Sequence, residues 1–296
     1  MHIYRKTIAA IVGIEGVGLH SGHYTRLELR PAPPQSGITF VRSDLNHLRI
    51  PALQASTTAL DYATTVGKDD VSVGTVEHLL SAIAAYGVTD VDIILDGPEV
   101  PIIDGSALPF AHLLEAAGFR TLDETIPVLR VRNTIHIGDD QKWIRISPSD
   151  KLSIHYKIDF AHPVIGTQNF AFDMENDSFT GNIAPARTFG FIRDVEKLRA
   201  AGLARGGSVE NCIVLDDHQV VSGDLRFEDE FVRHKILDLI GDLALVGQPL
   251  VGEITCSRAG HALHSSFIQK LLASPEALGA FAPHGRDSRS SSYAIA

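Results

Sequence analysis

The chain has 296 residues, which at about 150 residues per domain suits two domains or one large one. Apolar residues make up 44% and charged residues 21%, with 25 Gly and 14 Pro, a balance that excludes intrinsic disorder and fibrous structure. The net charge of -10 repels polyanions and anionic lipid, which argues against a nucleic-acid or membrane-surface partner.

The N-terminal segment has a basic start and a short apolar run, but Gly13 and Glu15 break the run and no small-residue cleavage site follows. It reads as a first strand rather than a signal peptide. Leu27, Leu29 and the segment GITFVRSD carry short extended patterns. Val76, Leu79, Leu80 and Ile83 then recur at helical spacing, with Thr75 in the N-cap position and Gly87 as the stop. VDIIL at 91–95 reads as a core strand and DGPEVPIIDGS as a turn-rich loop. Ser106 is placed to cap a helix running through LPFAHLLEAAG to Gly118. The segment RTLDETIP reads as a boundary, dividing a first domain over 1–125 from a second over 126–280.

From Val128 the pattern restarts with strands over VLRVRNTIHI, KWIRISP and LSIHYKID. Two helices follow, FIRDVEKLRAAG ending at Gly202 and EDEFVRHKILDLIGDLALVG ending at Gly247, and a third spans HALHSSFIQKLLAS. Both halves run strands and then helices, which points to α+β units rather than a doubly wound parallel sheet. The Ser- and Arg-rich end, 281–296, reads as a mobile tail. No apolar stretch approaches the roughly 18 to 20 residues of a membrane-spanning helix. Cys212 and Cys256 fit neither a disulfide framework nor a zinc-finger spacing, so a reducing compartment, the cytoplasm, is expected.

Chemistry concentrates in EDEFVRHKILDLIGD. His234, Asp238 and Asp242 stand at i, i+4 and i+8, about 0°, 40° and 80° around a helix axis, which makes a single polar stripe. An exposed i, i+4 pair would explain His234 and Asp238 alone, but their neighbours Phe231, Val232, Ile236, Leu237, Leu239, Ile240 and Leu243 are apolar. Buried charges are costly unless they are paired or bind a metal, so the stripe asks for a cation. Glu77 and His78 on the first-half helix differ by about 100°, so one side chain can bind a metal while the other reaches a bound water. His78, His234 and Asp238 together form a two-histidine, one-carboxylate set that suits a catalytic Zn²⁺ and equally an oxygenase Fe(II). A non-ligand Glu77 favours hydrolysis, because attack by water needs a base. If Asp242 reaches His261 of SRAGHALH, it favours the imidazolium, a cationic acid.

The segments GVGLHSG, TVEHLLSA, PIIDGSALPF, IDFAHPVIG, ARTFGF, GGSVEN, FEDEFVRHKILDLIGD and GHAL, in this order over nearly the whole chain, resemble the UDP-3-O-acyl-N-acetylglucosamine deacetylase family, zinc enzymes of lipid A synthesis. The resemblance implies a two-domain β-α-α-β sandwich, each α+β domain a sheet layered with helices, with the active site at the domain interface. It implies one Zn²⁺ on His78, His234 and Asp238, Glu77 as general base, protonated His261 with its partner Asp242, Thr188 supporting the oxyanion, and Lys235 contacting substrate. It also implies an acylated UDP-sugar substrate, with Phe160 packing on uracil and Arg258 and Lys235 near the diphosphate. Arg258 stands where many members have Lys, so the charge is kept with a different contact geometry. An insert over about 188–215 would line an acyl passage with Phe189, Phe191, Ile192, Val195, Ala204 and Gly207, and Leu19 near the metal end. A monomer is expected.

Three other readings compete: a zinc amidohydrolase on a different acylated sugar, a non-catalytic zinc-organised nucleotide-sugar binding protein, and an Fe(II) oxygenase. Phe160 and the insert discriminate the first, and Glu77 with His261, which are not expected ligands, the second. Nothing in the sequence supplies the cosubstrate that the third requires.

Overall fold

Alternating apolar residues build two main sheets, and the computed structural model, which describes residues 2–280, shows both. The expected tail over 281–296 lies outside the described residues. The first sheet has the order Val12–Val17, Tyr24–Pro31, Val91–Leu95, Ile38–Arg42 and Leu48–Pro51. Its pairs are antiparallel except Ile38–Arg42 against Val91–Leu95. Leu27, Leu29, Phe40, Ile93 and Leu95 turn to the core from these strands. The second sheet has seven strands around Leu250–Ser257. That strand pairs antiparallel with Trp143–Ser147 and parallel with Leu129–Val131 and Leu152–Asp159.

Six α-helices stand among the described residues: α1 (Glu77–Ala85), α2 (Leu108–Ala117), α3 (Phe179–Asn182), α4 (Ile192–Ala200), α5 (Glu230–Leu243) and α6 (His261–Leu272). Helix α1 ends where Gly87 takes φ +64, α2 at Gly118 with φ +63, and a 3₁₀ turn after α5 ends at Gly247 with φ +76. These are left-handed conformations that glycine adopts without steric cost. Leu79, Leu80 and Ile83 of α1 join the first core, and Phe231, Ile236 and Leu237 of α5 join the second. The two cores meet where α1 lies along α5. Gly241 permits this contact, because a Cβ there would stand 2.1 Å from the Glu77 carbonyl oxygen.

The α+β architecture agrees with the sequence, with local differences. Thr75 is not a helix cap: it takes φ +54 and its hydroxyl donates to Glu99 Oε1 at 2.6 Å, while α1 starts behind Val76 without a side-chain cap. Ser106 precedes the N-cap Ala107, and its hydroxyl accepts from the Leu108 N–H at 3.2 Å. RTLDETIP, read as a boundary, is most of the strand Phe119–Pro127, paired antiparallel with the N-terminal strand His2–Ile8. The central strand Leu250–Ser257 is not among the strands expected above, although Leu250, Gly252, Ile254 and Cys256 turn inward in alternation and partners flank both of its edges. No helix among the described residues is long and apolar enough to cross a membrane.

Candidate active site

The α1–α5 contact assembles the site, because α1 carries Glu77 and His78, and α5 carries His234, Lys235, Asp238 and Asp242 on the stripe that faces it. Helix α6 adds His261 at its first residue. A cavity of about 210 Å³ opens over these groups and is lined further by Leu19, His20, Tyr62, Thr75, Thr188 and Phe189.

His78, His234 and Asp238 are almost wholly buried, and one ligand atom from each lies within 4.8 Å of the others. Asp238 Oδ1 stands 3.3 Å from His234 Nε2 and 3.9 Å from His78 Nε2. Donors bound at about 2.0–2.2 Å in a tetrahedron lie roughly 3.3–3.5 Å apart, so this trio closes on an ion with small adjustments. His234 Nδ1 lies 3.1 Å from the Ala186 carbonyl; donating there leaves Nε2 bare to ligate. His78 Nδ1 is buried with no hydrogen-bond partner, and the ring stands edge-on to His234 with centroids 5.0 Å apart. Burial, reinforced by the neighbouring His234, pushes the His78 imidazole down to about 3, and burial also lowers His234. Both are therefore neutral, the form a metal requires. Against the upward push of burial, His234 and Lys235 hold the Asp238 carboxyl well below the usual range. Two other acid–histidine groups lie close by, but in one of them Asp242 already binds both imidazoles by hydrogen bonds, and the other sets two carboxylates around His261.

Glu77 is 2% exposed, and its Oε2 accepts from the Thr64 N–H at 3.1 Å. Burial raises its carboxyl to about 8, although His261, 3.7 Å away, pulls the other way. His261 Nδ1 meets Asp242 Oδ2 at 2.8 Å, and Thr64 Oγ1 donates to Asp242 Oδ1 at 2.6 Å. Burial lowers His261, but Asp242, by charge and hydrogen bond, together with Glu77 and Asp238 lifts the imidazole to about 9. One side of the cavity thus carries a carboxyl and an imidazole that both hold a proton more tightly than usual, an arrangement able to exchange protons with a bound group.

The structure gathers Glu77, His78, His234, Lys235, Asp238, Asp242, His261, Thr188, Phe189 and Leu19 around one cavity or directly behind it. Lys235 Nζ donates to Asp238 Oδ2 at 2.6 Å, which orients that carboxylate. Phe160 is set farther out, its ring 5.7 Å from Phe189 and 6.3 Å from Phe191. Arg258 takes φ +51 in the turn before α6 and lies 3.6 Å from Asp159, beside Phe160 in sequence. Ile192 and Val195 lie on α4, which buries none of its residues. Ala204 donates its N–H to His20 Nδ1 at 3.4 Å, and Leu19 lies 3.5 Å from where a Cβ of Gly207 would be; neither Ala204 nor Gly207 lines the cavity itself. His20, Thr64 and His264 are site residues that periodicity does not reveal. His20 lies in GVGLHSG, one of the segments that carry the family resemblance.

A family model described as UDP-3-O-acyl N-acetylglycosamine deacetylase matches residues 5–273. The UDP-3-O-acyl-N-acetylglucosamine deacetylase of Myxococcus xanthus is 48% identical over 273 residues, 92% of this chain and 87% of that protein. Its namesake from Oleidesulfovibrio alaskensis is 46% identical over 269 residues, covering 90% of this chain and 88% of its own. That from Anaeromyxobacter dehalogenans is 43% identical over 274 residues, 92% and 89% of the two chains.

Proposed function

The chain belongs to the UDP-3-O-acyl-N-acetylglucosamine deacetylase family, and from that premise we propose how its own residues perform the reaction. It is a hydrolase that removes the acetyl group from a UDP-3-O-acyl-N-acetylglucosamine, a step of lipid A biosynthesis. The observation that carries the mechanism is the convergence of two neutral imidazoles and one carboxylate beside a separate base and a separate acid.

His78, His234 and Asp238 would hold one Zn²⁺, which when bound supplies Lewis acidity to the acetamide carbonyl and the attacking water. Glu77 takes a proton from that water as the water attacks the carbonyl carbon. The Thr188 hydroxyl, at the cavity wall, donates to the oxygen that gains charge. His261 gives its proton to the nitrogen as the C–N bond breaks, and Asp242 steadies the imidazolium until then. Acetate and a free 2-amino group result. Lys235 holds Asp238 in its ligating orientation.

Phe160 and Arg258 would receive the uracil and diphosphate, outward from the metal trio. Phe189, Phe191, Ile192, Val195, Ala204, Gly207 and Leu19 would guide the acyl chain; Ile192 is 48% exposed, leaving apolar surface for it. The two cores support a division into units over 1–125 and 126–280, and we place the enzyme in the cytoplasm as a monomer. The test is acetate release from a UDP-linked, 3-O-acylated N-acetylglucosamine by metal-stripped protein, before and after one equivalent of Zn²⁺. Zinc-dependent release that vanishes with unacylated UDP-N-acetylglucosamine supports the reading, and no release with stoichiometric zinc overturns it.

A further inference from the structure

Asp242 serves two imidazoles. Its Oδ2 lies 2.8 Å from His261 Nδ1 and 2.7 Å from His264 Nδ1, while Oδ1 accepts from Thr64 at 2.6 Å. The histidines stand three residues apart on α6, so they share a face, with ring centroids 5.8 Å apart and planes at 79°. Both rings bond the same oxygen, and their surroundings differ. His261 borders the cavity. His264 is fully buried, and burial pushes its imidazole toward the neutral form. Its Nε2 faces the hydroxyl of buried Tyr156 at 3.2 Å, and that hydroxyl also reaches the Ala259 carbonyl at 2.9 Å.

We propose that His264 is a positioning residue: set against Tyr156, its imidazole donates Nδ1–H to Asp242 and fixes the carboxylate against His261. The proposal rests on the reading of His261 as the acid. The need for it is physical. His261 occupies the first residue of α6, the positive end of a helix dipole, where a cation is disfavoured. The Asp242 carboxylate, with Glu77 and Asp238, opposes that, and an Asp side chain bound only by Thr64 and by the imidazole it has to orient can still turn about its terminal torsion. The bond from His264 closes the remaining direction. The network then runs from the second sheet, through Tyr156, His264 and Asp242, to the group that meets the substrate.

The experiment compares the zinc-loaded parent with His264→Asn and His264→Leu, measuring kcat, KM and bound metal. Asn presents an amide N–H at nearly the reach of Nδ1–H, so its kcat is expected within about threefold of the parent. Leu fills the space without a donor, and its kcat is expected about 10-fold or more lower, the scale of lost outer-shell partners, with KM and metal content unchanged. Parent-like kcat in the Leu variant, an Asn variant as slow as Leu, or a change confined to KM or metal would each overturn the proposal. If the Leu variant does not fold, nitrogen-15 NMR of histidine-labelled parent decides: a protonated His264 Nδ1 supports the proposal and a bare one overturns it. An inactive parent would refute the deacetylase reading instead, and the NMR result would still stand.

Discussion

Gly241 of α5 packs directly on the backbone of Glu77, where a Cβ would come within 2.8 Å of the Glu77 Cα and closer still to its carbonyl. Glycine inside a helix ordinarily costs about 0.5–1 kcal/mol relative to alanine. Here the sign reverses, because an added methyl meets backbone rather than a flexible side chain. Gly241→Ala is expected to destabilise the protein by about 1–3 kcal/mol, the range for overpacking, seen as a lower Tm. The same displacement parts His78 from His234 and Asp238, so zinc affinity should fall with stability. An unchanged Tm together with unchanged zinc affinity would show that the helices are not held by this contact.

Glu77 and His78 are chain neighbours with different expected duties. Glu77→Ala should retain one zinc per chain while kcat falls by about 10²–10⁴, the usual contribution of a general base. His234→Ala should lose the metal, and with it the activity. Metal analysis beside steady-state kinetics separates the two. Normal turnover by the Glu77 variant would overturn its assignment as base.

Local periodicity made the α5 stripe legible, since His234, Asp238 and Asp242 belong to one helix and their spacing alone puts them on one face. The partners that tune them were hidden, because contacts across the fold leave no spacing signal. Thr64 reaches Asp242 from 178 positions away, and Tyr156 reaches His264 across 108. Thr75 misled for a related reason: its residue type suits an N-cap, yet the hydroxyl is taken by Glu99, which also binds the backbone of His20 and Ser21. RTLDETIP concealed a strand because only Leu122 and Ile126 turn inward, so the two-residue alternation is missing.

Glu230 shows how a buried charge can be held without a metal. It is fully buried, and Arg187 binds both of its oxygens, at 2.8 and 3.1 Å, while the Arg226 N–H donates at 2.6 Å. Removing one member of such a pair strands the other charge. Arg187→Ala is expected to cost about 3–5 kcal/mol, and since the next residue is Thr188, kcat should fall as well. Chemical denaturation measures the first effect. A loss below about 1 kcal/mol would mean the pair behaves as a surface ion pair.

The pairing of Asp242 with His261 fixes the sign of one pH effect. Glu77 works as a base only when ionised, so activity is lost as pH falls through its pKa, about 8 in the metal-free protein. A bound dication nearby lowers that value and shifts this limb toward acid. His261 works as an acid only when protonated, so activity is lost as pH rises through its pKa, about 9. Against burial, Asp242 is the largest of the groups that raise the second value. Asp242→Asn deletes the charge and keeps the shape, so the alkaline limb of the kcat/KM profile should move to lower pH and the bell should narrow from that side. The acidic limb should move little by comparison, because for Glu77 the charge on Asp242 ranks below burial, His261 and Asp238. An alkaline limb that stays in place in the zinc-loaded variant would show that it reports some group other than His261.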